Sequence, residues 1–185
     1  MDRRPRKTRR AWGEAGEPHF LTYSCAGRMP LLTRDRTRCW VVEALAAMRR
    51  ELDVGLWAYV IMPEHVHVLL HPRRAGCEMR KILVALKRPV SDAARAFLEE
   101  NENEEWLERL SVEYPSRRVF RFWQAGGGFD RNVLVEKRVQ TVVDYIHANP
   151  VRRGLVARAS DWEWSSARFW EGWDDVVLRM DRPFD

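Results

Sequence analysis

No apolar run in this 185-residue chain approaches the roughly 18 to 20 residues that a bilayer-spanning helix needs, so an integral membrane helix is not expected. No apolar segment follows the basic N-terminus, which predicts no secretory leader and a cytoplasmic, nucleoid-associated location. Cysteine is scarce: Cys25, Cys39 and Cys77 are odd in number, widely spaced and without a C-x-x-C pair, which excludes a disulfide framework and a thiolate zinc site. Lysine is scarcer than usual for so basic a chain, with 4 against 28 arginines. That bias suits phosphate recognition, and equally suits a GC-rich genome. No internal repeat is present.

The net charge of +5 resides at one end. Residues 1–10 carry Arg3, Arg4, Arg6, Lys7, Arg9 and Arg10 against Asp2, and the remaining chain is balanced. The excess therefore belongs to an arm, residues 1–17, which either contacts nucleic acid or simply solvates. Residues 18–158 read as one domain and residues 159–185 as a tail. Four of the nine tryptophans (Trp162, Trp164, Trp170, Trp173) lie in that tail, which is expected to pack on the domain, with base stacking the alternative.

Hydrophobic periodicity gives the elements. His19 to Cys25 alternates as a strand, and Thr33 to Leu52 has helical spacing with Thr33 as its candidate N-cap. Leu56 to Met62 and His65 to His71 form a hairpin about Pro63 and Glu64. Glu78 to about Glu100 is helical, with Pro89 expected to kink or break it and Ser91 to cap a second segment. Residues 99–109 read as a solvated connection, and Val119 to Gln124 as the fourth strand. After a turn at Gly126, Gly127 and Gly128, Leu134 to Asn149 forms a helix with its apolar stripe at Val135, Val139, Val142, Val143 and Ile146, stopped by Pro150. The order predicts an α+β, ferredoxin-like sandwich: an antiparallel sheet of four to five strands with helices on one face, plus an added helix and the tail.

Two places can carry chemistry. His65 and His67 are two apart on a strand, so both imidazoles share one face, as a metal platform or as a hydrogen-bonded core pair. Tyr145 and Asn149 are four apart on a helix and stand one above the other, continued by Arg138 and Thr141. Such a polar stripe is what a site needs and also what a solvent face looks like.

MPEHVHVLLHP (62–72) followed by VDYIHANPVRRGLV (143–156) resembles the single-tyrosine HUH transposases, especially the REP-associated tyrosine transposase branch. The stretches FWQAGGGFDRNV (122–133) and DWEWSSARF (161–169) share the likeness, which covers roughly residues 18 to 170. The resemblance implies that His65 and His67 bind a divalent metal, Mg²⁺ or Mn²⁺, with Asn149 as third ligand, and that Tyr145 is the nucleophile. It implies metal-dependent cleavage and rejoining of single-stranded or hairpin DNA through a 5′-phosphotyrosine. A phenol is mostly protonated at neutral pH, and the cation, His71 or His147 could relieve Tyr145 of its proton, although His147 suits packing or capping better. Arg138, Arg131, Arg152, Arg153 and the aromatic residues Trp12 and Trp123 are candidate DNA contacts. Arg152 and Arg153 also suit a helix C-terminus, and Gly126 to Asn132 suits either a phosphate-binding turn or a plain turn capped by Asp130 or Asn132. The alternatives are a hairpin-DNA-binding protein that no longer cuts, and a metal-dependent hydrolase using water. Both a homodimer and a monomer fit the resemblance.

Overall fold

The computed structural model describes residues 17–74, 76–133 and 136–183. Most of the basic arm, Trp12, Leu134 and Val135 lie outside the described residues. Among the described residues no helix is long and apolar enough to cross a membrane.

Four strands make the central sheet: β1 (His19–Ser24), β2 (Val54–Ile61), β3 (His65–Pro72) and β6 (Phe129–Asn132), in the order β2-β3-β1-β6. Every pairing is antiparallel. Helix α1 (Asp35–Leu52) carries the chain from β1 past the position that β3 fills, and the tight β2–β3 turn then returns the chain into that position. Helix α2 (Met79–Glu100) crosses back, and β6 closes the far edge beside β1. This is the ferredoxin-like arrangement, and the class is α+β.

Alternation along the strands divides the core between two faces. Leu21, Tyr23, Tyr59, Ile61, Val66, Val68 and Leu70 point to one side, under Val41, Leu45 and Met48 of α1 and Ile82, Leu86 and Val90 of α2. Ala58, Val60 and Leu69 point to the other, where they meet Val139, Val143 and Ile146 of helix α4 (Glu136–Arg152). The side chains of His65 and His67 belong to this second face.

The structure differs from the sequence reading at several places. Helix α1 starts at Asp35, because the Thr33 hydroxyl turns back to the Pro30 carbonyl instead of capping. Helix α2 runs through Pro89 without a break; the proline is exposed, so water can reach the carbonyl left free one turn earlier, while Leu86 and Val90 anchor both sides. The acidic connection contains a short helix α3 (Glu104–Arg109), whose N-cap Asn103 accepts from the Trp106 amide. Residues 119–124 do not supply the fourth strand. Val119 and Phe120 belong to β5 (Arg117–Phe120), which pairs with β4 (Ser111–Tyr114) as a separate hairpin. The fourth strand is β6, in the segment read as a turn.

Gly128 makes that strand possible. At φ +74° its α-carbon faces β1 so closely that a Cβ would lie 2.0 Å from the Thr22 carbonyl oxygen. Only glycine permits this approach.

Residues after 158 run along β2, the other edge of the sheet. Ile61 N–H donates to Trp164 O (2.8 Å), Ser166 N–H to Tyr59 O (3.0 Å) and Asp181 N–H to Leu56 O (2.8 Å). The indoles of Trp162 and Trp170 donate to Ile61 O (3.0 Å) and Trp57 O (2.9 Å). Asp181 accepts from Leu56 N–H (2.8 Å) and pairs with Arg49 (2.6 Å) and Arg73 (2.9 Å). Burial acts to raise the Asp181 carboxyl, but the Leu56 N–H and Arg49, with Arg73, outweigh it and hold it below the usual carboxylate range. A lowered folded-state value stabilises the fold above the unfolded value and loses that contribution as pH falls through the folded one. Thermal melts at descending pH are therefore expected to show Asp181→Asn well below the parent protein near neutrality and the gap closing in acid. A pH-independent gap would mean that the ionised carboxylate is not what anchors the tail.

Candidate active site

Histidines 65 and 67 are buried side by side on β3, with their Nε2 atoms 3.1 Å apart. Each Nδ1 atom is held from behind. His65 Nδ1–H donates to the Glu64 carboxylate (3.0 Å), which also accepts from Arg153 (2.8 Å). His67 Nδ1 shares a 2.7 Å hydrogen bond with the hydroxyl of Thr22, its register partner on β1.

Burial, opposed by Glu64, lowers the basicity of His65; burial and then the neighbouring His65 push His67 down to about 3. Both rings are thus neutral at neutral pH, as metal ligands must be. Burial acts to raise Glu64, but the hydrogen bonds from Arg153 and His65, with the charge of Arg153, hold its carboxyl below the usual range. With the His65 proton fixed on Nδ1, its Nε2 is a lone pair facing the second ring. The Thr22 hydroxyl can donate or accept, so His67 too can carry its proton on Nδ1 and present Nε2.

Asn149 is the third member. Pro150 has no N–H for the Ile146 carbonyl, and the Asn149 amide nitrogen lies 3.4 Å from that oxygen and 2.7 Å from Tyr145 O. The side chain is thereby fixed beside His67, where its amide favours the protonated ring against the larger effect of burial. This also explains why Pro150 does not stop α4 where the sequence suggested: the helix continues to Arg152.

The donor set fits a hard cation completed by outside oxygens. Among the described residues no group of three or more His, Cys, Asp or Glu could hold a metal ion, and at this place those residues offer two imidazoles and an amide. The 3.1 Å between the Nε2 atoms is a hydrogen bond between the two rings, and the same spacing suits two nitrogen ligands of one small divalent cation.

Tyr145 stands over this group, one helical turn before Asn149. Its ring is 5.5 Å from that of His67 and 5.8 Å from that of Phe20, edge-on to both, and the Arg152 guanidinium lies 5.4 Å from its centroid. Phe20 in turn stacks on His67 at 5.4 Å. The phenol is 40% exposed and so is open to a macromolecular substrate.

The other sequence candidates divide. Arg131 is exposed on β6, opposite Phe20, and Arg138 is exposed on α4 two turns before Tyr145. Arg153 is instead engaged by Glu64. Trp123, expected as an exposed aromatic, is only 5% exposed, packs on Tyr23 and donates its indole N–H to Lys87 O. His147 faces away: its Nε2 is 2.8 Å from Ser166 Oγ, it lies near Trp170, and burial pushes it down to about 4, consistent with packing. His71 stacks on Trp57 at the far end of β3. Asp130 bonds His19, and Asn132 donates to Glu17, within and beside β6. Glu64, Thr22 and Phe20 were not identified from sequence. Glu64 read as a turn residue, and the alternation that puts Phe20 and Thr22 on one face does not say which strand lies beside them.

No family model matches the chain, and no curated protein matches it by sequence. Among solved structures, one of a transposase candidate from Deinococcus radiodurans R1 aligns at 15% identity over 76% of this chain and 94% of that one, with a TM-score of 0.45. A REP-associated tyrosine transposase bound to a REP hairpin aligns at 20% identity over 98% of this chain and 100% of that one, with a TM-score of 0.67. The fold described above is thus shared with that hairpin-bound transposase.

Proposed function

We propose that this chain is a transposase of the REP-associated tyrosine branch of the HUH enzymes, cutting and rejoining single-stranded DNA next to a hairpin. The observation that carries the reading is the placement of the Tyr145 ring against His67, whose Nε2 lies 3.1 Å from that of His65, with Asn149 one helical turn after Tyr145. The shared fold with a hairpin-bound protein of that kind supports the substrate class.

Tyr145 Oη attacks the scissile phosphorus in line. The bond to the 3′-oxygen breaks, the phenolic proton is balanced by the one gained at the departing 3′-hydroxyl, and the 5′-phosphate remains on Tyr145. Because one phosphodiester replaces another, the 3′-hydroxyl of a second strand can reverse the step and join DNA without ATP. His65, His67 and Asn149 would hold Mg²⁺ or Mn²⁺, which when bound withdraws charge from the phosphate oxygens and orients them. Glu64 and Thr22 orient the two imidazoles, and Arg152 brings positive charge to the side of the nucleophile. Arg131 and Arg138 suit flanking phosphates.

Incubation with Mn²⁺ and end-labelled hairpin oligonucleotides from the flanks of its own gene, followed by a denaturing gel, tests the reading. A protein-linked band that requires metal and Tyr145 is expected. DNA that is bound but never cut would overturn it in favour of a binding protein, and cleavage surviving Tyr145→Phe would make it a hydrolase. The carboxylate behind His65 gives a readout independent of turnover: Glu64→Ala is expected to weaken Mn²⁺ binding by about 10- to 100-fold in calorimetry. Unchanged affinity would place the metal elsewhere.

A further inference from the structure

Among the described residues, the sheet face beside Tyr145 is open. Helix α4 packs over β2 and β3, while β1 and the edge strand β6 extend beyond it. The register pairs Phe129 with Thr22 and Arg131 with Phe20, so Phe129 and Arg131 share the face that carries His67.

Phe129 is 53% exposed, yet it is not an isolated surface residue. Its ring meets Phe20 edge-on at 6.1 Å, and Phe20 touches both His67 and Tyr145. The backbone that delivers it is specified by Gly128, whose missing side chain lets β6 begin against Thr22. A continuous aromatic ledge thus runs from the nucleophile to the rim of the sheet, with Arg131 on the ledge and Arg152 at its inner end. An exposed ring beside guanidinium groups matches a nucleobase and its phosphate better than it matches an apolar protein surface.

We propose that Phe129, backed by Phe20 and flanked by Arg131, is a stacking platform for a nucleobase of single-stranded DNA next to the scissile phosphate. The inference rests on the proposed strand-transfer reading and names a substrate contact within it. Phe129 sets how the unpaired strand lies across β6, so that the phosphate reaches Tyr145 with its base already held. Stacking tolerates any base, so the platform contributes affinity and positioning instead of sequence choice.

The test uses the full chain carrying Tyr145→Phe, which keeps the ring but cannot attack. The probes are hairpins with a single-stranded oligothymidylate extension on the 5′ or 3′ side and one 2-aminopurine moved along it. One probe position is expected to be quenched on binding. Phe129→Ala and Phe129→Leu are expected to relieve that quenching and weaken binding by about tenfold or more, and Phe129→Tyr to restore both. Quenching and affinity unaffected by Phe129→Ala would overturn the platform. Failure of the underlying reading is separate: it would appear as no protein-linked DNA from the wild-type chain with Mn²⁺, whatever the fluorescence shows.

Discussion

Replacing Tyr145 with Phe is expected to abolish covalent attachment to DNA and strand cleavage while hairpin binding persists. Losing the attacking atom of a covalent mechanism costs on the order of 10⁴-fold or more in turnover. Phenylalanine keeps the ring that lies against His67, Phe20 and the Arg152 guanidinium, so the substitution removes one oxygen and leaves the packing. The ring is half-exposed, and the variant is expected to melt within a degree or two of the parent. A gel for the protein-linked band, with binding measured on the same hairpin, separates chemistry from recognition. Cleavage at an undiminished rate would exclude Tyr145 as the nucleophile and make water the attacking group.

Truncation after Arg158 is expected to prevent cooperative folding. Residues beyond that point cover the outer edge of β2, where Leu56, Trp57, Tyr59 and Ile61 exchange hydrogen bonds with Asp181, Trp170, Ser166, Trp164 and Trp162. Each such bond contributes about 1 kcal/mol net, a large sum against the roughly 5–15 kcal/mol that holds a domain together. Removing the tail also bares an apolar edge strand, the form that pairs with other chains and aggregates. The loss reaches the site, because the Ser166 hydroxyl bonds both Tyr59 N–H and His147 of α4 and so ties the helix that carries Tyr145 to the sheet. Circular dichroism melts and light scattering of the truncated chain provide the check. A soluble protein melting near the full-length temperature would show that the domain is self-sufficient without the tail.

The elements with a long, strong period were legible before the structure. Helix α1, the β2–β3 hairpin and the two-residue spacing of His65 and His67 each repeat an apolar pattern over several turns or pleats, and local periodicity suffices for them. Strand β6 was not legible. It is short, half of it is charged, and it follows three glycines, so its sequence reads as a turn until β1 offers an edge on which to pair. The segment 119–124 had the better strand pattern and was expected in its place, but Arg117–Phe120 pairs locally with Ser111–Tyr114 and the aromatic pair that follows is buried. Trp123 shows the same limit: an aromatic near a basic segment looks like a stacking surface until packing encloses it.

The sequence by itself determined the class of fold, the shared face of His65 and His67, and the turn-apart placement of Tyr145 and Asn149, because periods of two and 3.6 residues are properties of the local backbone. Only the tertiary structure decided that these two faces meet. Helix α4 is separated from β3 by more than sixty residues, and it covers that side of the sheet because Val139, Val143 and Ile146 bury themselves on Ala58, Val60 and Leu69. The same packing engaged Arg153 with Glu64, turned His147 to the tail, and set Phe129 beside Phe20 at the open rim. Those partners are brought together by burial between distant segments, and no local period encodes them.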